Sequence, residues 1–193
     1  EVPYGTPNNY LKYEEPSVLK RDDLRLFGKL EYSPIKGLNV TGEYTFNKNH
    51  DNDTYYQVRH KYMNPNNYTE EYLFNNEYYQ RTNYTTQYNA LNLYASYNHA
   101  LENHNFKYLI GTNYEKSHNQ SFWANRADLL SPSSPSLGTS TGNQSVGDGF
   151  GQYAVLGYFG RINYDYNNKY LLEINGRFDG SSRFLEGSKF GFF

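Results

Sequence analysis

The feature that most constrains this chain is the length over which its residues alternate two by two. Tyr158, Gly160, Ile162, Tyr164 and Tyr166 fall on one face, and Phe159, Arg161, Asn163 and Asp165 on the other. After Asn167-Asn168-Lys169 the pattern resumes. Tyr170, Leu172, Ile174, Gly176 and Phe178 are then set against Leu171, Glu173, Asn175, Arg177 and Asp179. Alternation of this kind marks a β-strand with one apolar and one polar face. It predicts strands of about fifteen residues, where five or six is usual.

Two further hairpins repeat the pattern. Leu26, Gly28, Leu30 and Tyr32 lead through Pro34 and Gly37 to Leu38, Val40, Gly42, Tyr44 and Phe46. Leu91, Leu93, Ala95 and Tyr97 lead through Glu102-Asn103 to Phe106, Tyr108, Ile110, Thr112 and Tyr114. The hairpins lie near 24–46, 88–115 and 155–184. Long polar stretches near 47–87 and 115–154 separate them, and both are expected to be loops at the same end of the strands. A Greek-key sandwich has no reason to sort short turns to one end and long loops to the other. Outer-membrane barrels do, with short periplasmic turns and long extracellular loops. The predicted fold is all-β, an antiparallel up-and-down meander.

The aromatic residues supply a second test. The chain has 23 tyrosines and 12 phenylalanines among its 193 residues. Tyr suits strands, membrane interfaces and ligand-stacking surfaces alike, so its abundance alone does not choose among them. Its placement is more telling. Tyr32, Tyr97, Phe106, Tyr166 and Tyr170 sit near the short turns, and Tyr44, Phe46, Tyr114, Tyr158 and Phe178 near the long loops. Leu30, Val40, Leu93, Ile110, Ile162, Leu172 and Ile174 lie between them. Two aromatic girdles around an aliphatic band fit the two headgroup levels of a membrane. A soluble sandwich with aromatics at its strand ends is the alternative reading.

If Tyr166 pairs with Tyr170, Asn163 lies opposite Glu173 and Arg161 opposite Asn175. A face holding Arg161, Asn163, Glu173, Asn175 and Arg177 is costly in lipid, so it is expected to face a lumen or another protein element. A net charge of −2 argues against a nucleic-acid partner. The absence of cysteine excludes disulfides and thiolate metal sites.

The residues GRINYDYNNKYLLEINGRFDGSSRF, followed by KFGFF, resemble the SusC/RagA-like family of TonB-dependent outer-membrane transporters. The resemblance is carried by Arg161, Asn163 and Tyr164, by Tyr170 to Leu172, and by Arg177. It continues through Asp179, Gly180, Ser181, Ser182, Arg183 and Phe184 to Gly191 to Phe193. It implies a partial segment, from the later part, of a large transmembrane β-barrel of about 22 strands holding a plug. It further implies the outer membrane of Bacteroidetes-type bacteria and import of a glycan or, in some members, a peptide. The implied partners are outer-membrane lipids, a SusD-like surface lipoprotein, and the TonB complex. The chain opens EVPYGTPNNY without a signal peptide and closes on what reads as a strand just beginning. It is therefore expected to be an excerpt, with plug and TonB box lying outside it. Other readings are a soluble or surface-attached carbohydrate-binding β domain, and a small porin-like barrel.

No catalytic constellation is apparent, and neither enzyme activity nor a cofactor is expected. His99 and His104 flank a turn, and Asp51-Asn52-Asp53-Thr54 resembles the start of a calcium loop without the Gly and distal Glu of an EF-hand. No metal site is expected at either. The candidate contact residues are aromatic: Tyr55, Tyr56, Tyr78 and Tyr79, with Phe74, in the first long stretch, and Phe122 and Trp123 in the second. Packing of the loops on themselves, contact with a partner lipoprotein and contact with substrate are the three readings, in that order. The Ser-, Pro- and Gly-rich stretch from Ser131 to Gln152 reads as mobile by composition.

Overall fold

The computed structural model describes residues 17–72 and 76–193. They form nine strands: β1 (Val18–Ile35), β2 (Leu38–Gln57), β3 (Lys61–Met63), β4 (Glu70–Tyr72), β5 (Tyr78–Leu101), β6 (His104–Ala127), β7 (Gln144–Tyr166), β8 (Tyr170–Ser181) and β9 (Phe190–Phe192). Seven make one antiparallel sheet in the order β1-β2-β5-β6-β7-β8-β9, while β3 and β4 pair separately. Within the seven-stranded sheet chain order is thus spatial order, the expected meander.

The short turns fall where their residues predict. Gly37 has φ of 85°, and Asn167 and Asn168 have φ of 53° and 54°, left-handed values that Gly and Asn tolerate. Asp165 Oδ1 accepts from the Asn168 N–H at 2.8 Å, and the Lys169 N–H donates to the Tyr166 carbonyl at 2.9 Å. These bonds fix the register of β7 on β8. Tyr166 pairs with Tyr170, Asn163 with Glu173, and Arg161 with Asn175, as the alternation requires.

The long stretches differ from expectation. The strands do not stop at Phe46 or Tyr114. β2 continues to Gln57, β5 begins at Tyr78, β6 continues to Ala127 and β7 begins at Gln144. The four strands are 20, 24, 24 and 23 residues long, about twice the 9–11 that span a bilayer. Apolar alternation reports only where one face meets an apolar medium. Asn, Thr and Tyr carry the same ladders onward with polar side chains on both faces.

Residue contacts divide the chain into two compact units. One contains His50–Thr85 and Gln120–Phe150, with residues up to Asp22; the other contains Asp23–Asn49, Thr86–Asn119 and Gly151–Phe193. Among the described residues only Val58, Ala90 and Leu129 are buried apolar side chains. In the second unit Leu30, Ile110, Leu172 and Ile174 are exposed, at 82, 71, 56 and 59%. Rings gather on that same face beside the short turns. His104 lies 4.9 Å from Tyr166, Phe106 4.9 Å from Tyr164, and Tyr166 6.4 Å from Tyr170, centroid to centroid. An apolar face with none of the described residues packed upon it calls for a cover of another kind.

In the intact protein reconstituted in lipid, Leu172→Arg or Ile174→Arg is expected to destabilise folding by about 2–4 kcal/mol, the cost of a charge near the bilayer midplane. Asn175→Arg, on the opposite face, is expected to cost less. Urea titration followed by heat-modifiable migration measures the difference. Equal losses would mean that the faces are assigned the wrong way round.

Candidate functional site

Opposite the apolar face, the polar side chains of the second unit are joined across strands. Glu173 accepts from Asn163 Nδ2 at 2.6 Å and Asn175 Nδ2 at 3.1 Å, with Arg161 Nε 3.8 Å away. Arg177 Nε donates to both oxygens of Asp179 at 2.7 Å, and its guanidinium stands 5.9 Å over the Phe159 ring. Farther across, the Tyr94 hydroxyl donates to Glu43 at 3.1 Å, and Asn113 Nδ2 to Asn92 Oδ1 at 2.7 Å. The five residues expected on this face, Arg161, Asn163, Glu173, Asn175 and Arg177, are brought together.

The run from Asp179 to Phe184 shapes the end of β8. Asp179 holds Arg177, and a Cβ on Gly180 would collide with the Phe190 ring that stacks on Phe178 at 5.2 Å. Ser181 donates its N–H to the Lys189 carbonyl at 2.9 Å and accepts from the Arg183 N–H at 3.3 Å. Ser182 closes a two-way contact with Ala154. Its N–H donates to the Ala154 carbonyl at 2.9 Å, and its hydroxyl accepts from the Ala154 N–H at 2.8 Å. Arg183 lies 3.9 Å over the Tyr153 ring, and Phe184 is exposed.

The six candidate rings do not form one surface. Successive residues of a strand point to opposite faces. By that parity Tyr55 and Tyr56 lie on opposite sides of β2, Tyr78 and Tyr79 on opposite sides of β5, and Phe122 and Trp123 on opposite sides of β6. Tyr55 and Tyr78 are in ring contact at 5.6 Å, and burial, with Tyr55 nearby, raises the Tyr78 phenol above its usual range. Trp123 is half-buried over Gly147, where a Cβ would stand 2.7 Å from the indole. Phe122 is 49% exposed. Phe74 lies outside the described residues.

Two elements were not legible in the sequence. Between Arg59 and Glu77, β3 and β4 form a polar hairpin in which Tyr62 pairs with Glu71. The Glu71 carboxylate accepts from the Tyr62 hydroxyl at 2.6 Å and Asn64 Nδ2 at 2.8 Å. Those bonds, Tyr62 first, hold its pKa below the usual carboxylate range. The second element is the connection between β6 and β7, read from composition as mobile through Gln152. Here Arg126 donates to the Gly142 carbonyl at 3.2 Å and the Leu137 carbonyl at 3.3 Å. Leu129 bridges Ser140, whose hydroxyl donates to the Ser136 carbonyl at 2.8 Å. The Gly-rich end is strand: Gly147 and Gly149 recur at period two because Trp123 and Ser121 of β6 occupy the space their side chains would need. Composition reports chain freedom only when nothing nearby claims it.

The candidate ion sites are otherwise engaged. Asp51 accepts from Arg21 at 2.8 and 2.7 Å, and Asp53 from the Ser17 hydroxyl at 3.0 Å. His104 Nδ1 lies 2.8 Å from the Tyr164 hydroxyl, and His99 stacks on Tyr97. Among the described residues no three His, Asp or Glu side chains are grouped to hold a metal.

No family model matches the chain. It is 29% identical over 102 residues to the TonB-dependent receptor P3 of Formosa agariphila, covering 52% of this chain and 10% of that protein. It is 46% identical over 41 residues to the TonB-dependent receptor P26 of the same organism, covering 21% of this chain and 4% of that one. The chain is a relative of the TonB-dependent receptors. Its fold agrees. The RagAB peptide importer in its open-open state superposes with a TM-score of 0.80 at 21% identity, over 92% of this chain and 19% of that one. The chain thus spans about a fifth or less of the proteins it matches, and its antiparallel meander matches part of a TonB-dependent receptor barrel.

Two outcomes follow from these contacts. Arg126→Met is expected to expose the 130–141 tip to protease while leaving heat-modifiable folding of the barrel unchanged; a tip as resistant as wild type would remove the clasp. A carboxyl-labelled Glu71 is expected to titrate below the usual Glu value. A depressed folded pKa gives a contribution present above the unfolded pKa and lost as pH falls through the folded one, so the β3–β4 hairpin should loosen only in acid. A midpoint at or above 4.5, its unperturbed value, would contradict the two hydrogen bonds.

Proposed function

We propose that the whole protein imports an oligomeric nutrient across the outer membrane, using energy delivered through the TonB complex. In this reading the long-loop ends are extracellular and the polar face of Arg161, Asn163, Glu173, Asn175 and Arg177 looks into the lumen, toward a plug. The observation that carries it is the sequence relation to TonB-dependent receptors over 102 residues, joined to a sheet with one polar and one lipid-compatible face. A porin-like barrel or a soluble carbohydrate-binding domain would share the strands but not that relation.

The resemblance carried by the β7–β8 residues favours a glycan as cargo, and the structural likeness to the RagAB peptide importer favours a peptide. A SusD-like surface lipoprotein is the proposed partner. The β3–β4 hairpin and the clasped 129–141 tip are its proposed contacts, together with Phe122. Trp123 and the Tyr55–Tyr78 pair serve internal packing.

Deleting the full gene is expected to abolish growth on one class of oligomer, peptide or glycan, while growth on the corresponding monomers continues. Collapsing the inner-membrane proton gradient in transport assays is expected to stop uptake in the parent strain. Growth unchanged on every oligomer, or uptake indifferent to the gradient, would refute active import.

A further inference from the structure

β7 outruns the strand beside it. It begins at Gln144, but its pairing with β8 ends where Val155 meets Ser181, and β8 then turns toward β9. Among the described residues no strand pairs with β7 on that side beyond Val155. The open edge is therefore set by a short β8, an interior strand of the sheet. On its other side β7 stays bonded to β6, where the Ala127 N–H donates to the Asn143 carbonyl at 2.9 Å. Backbone groups along a strand face alternate sides. With Asn143 facing β6, Ser145, Gly147 and Gly149 face it too, and Val146 and Asp148 turn their N–H and C=O groups to the open side. Native edges are commonly blunted by Lys or Pro, and Gln144-Ser145-Val146-Gly147-Asp148-Gly149-Phe150 has neither. Trp123 packed over Gly147 and Ser121 over Gly149 hold the segment in strand form from the β6 side. On the opposite side of the two strands Phe122, Val146 and Phe150 are 49, 68 and 64% exposed, and Asp148, also exposed, lies between the last two.

Rested on the import reading above, the geometry points to strand addition: an extended stretch of the imported peptide pairs antiparallel with the β7 edge at Val146 and Asp148. In such a mode main-chain bonds supply affinity and alternate side chains supply preference. Affinity that does not depend on sequence suits an importer of nutrient peptides. A glycan has no N–H and C=O groups alternating along it and cannot continue the ladder. Gln144 to Phe150 spans roughly 20 Å at about 3.3 Å per residue, the reach of an oligopeptide and not of a free amino acid. Opposite charges and apolar side chains attract across neighbouring strands. The Val146, Asp148 and Phe150 side chains thus prefer an apolar, a basic and an apolar residue, two positions apart, on the added strand.

The test uses the intact receptor, purified in detergent and titrated by calorimetry. The probes are the capped peptide Thr-Val-Thr-Lys-Thr-Val-Thr, the same peptide N-methylated at its Val and Lys residues, the same peptide with Gln for Lys, and a malto-oligosaccharide. N-methylation keeps the side chains and removes the N–H groups that would face β7. The wild type is expected to bind the unmethylated peptide about tenfold more tightly than the methylated one, the weight of one or two ladder bonds. Val146→Pro deletes an outward N–H without touching the β6 ladder. It should bring the unmethylated peptide down to the level of the methylated one. Asp148→Asn should cost the Lys peptide about two- to fivefold and the Gln peptide nothing. Heat-modifiable migration confirms folding of each variant, and the two peptides compared on wild type alone decide the matter if Val146→Pro does not fold. Equal affinity for both peptides, or a folded Val146→Pro receptor that keeps the preference, overturns strand addition and leaves import standing. A Val146→Pro receptor that sheds a co-purifying surface lipoprotein but keeps peptide binding gives the edge to that partner and overturns the cargo site. A wild type that binds only the malto-oligosaccharide overturns the peptide assignment. A receptor that binds no probe, in cells that take none up, overturns both the site and the import reading.

Discussion

A sheet that leaves Leu30, Ile110, Leu172 and Ile174 uncovered persists only where water is absent from that face. Exposed to water, each such side chain would forgo roughly 1.5–3 kcal/mol of burial. Lipid supplies the burial but imposes its own condition, that every backbone N–H and C=O in it be bonded within the protein. Antiparallel strands paired in chain order meet that condition everywhere except at the two edges. Strand length, turn placement and the separation of polar from apolar side chains all follow from these two demands.

The same demands explain what could be read from the residues. Near 24–46, 88–115 and 155–184 the apolar face writes itself into alternate positions, so the three hairpins, their turns and the β7–β8 register were legible. Where the strands leave lipid, the medium no longer selects side chains, and alternation fades although the ladders continue. Asn47 to Gln57 and Glu115 to Ala127 are strand for reasons of pairing, which a single-chain pattern does not show. The glycines at 147 and 149 were read as freedom because the sequence does not display Trp123 and Ser121 lying over them.

The candidate site was legible in part for a related reason. Arg161, Asn163, Glu173, Asn175 and Arg177 were placed together by parity alone. Parity also separates adjacent rings: Phe122 from Trp123, Tyr55 from Tyr56 and Tyr78 from Tyr79, pairs that look like single platforms when written side by side. The Asp179–Phe184 run had a clear resemblance but no evident task. In the structure its Asp, Ser and Arg residues, with the close approach of Phe190 that Gly180 permits, fix the end of β8 against β7 and β9.

The most direct test of this account is accessibility along β8. The chain has no cysteine, so single Cys substitutions from Tyr170 to Phe178, spin-labelled in the reconstituted receptor, report each position separately. The account predicts a two-residue alternation. Labels at 172, 174 and 176 should be relaxed by oxygen dissolved in lipid, and labels at 173, 175 and 177 by a water-soluble nickel chelate or by neither if protein covers them. Uniform accessibility along the strand, or alternation in the opposite phase, would contradict a lipid-facing Leu172–Ile174 surface.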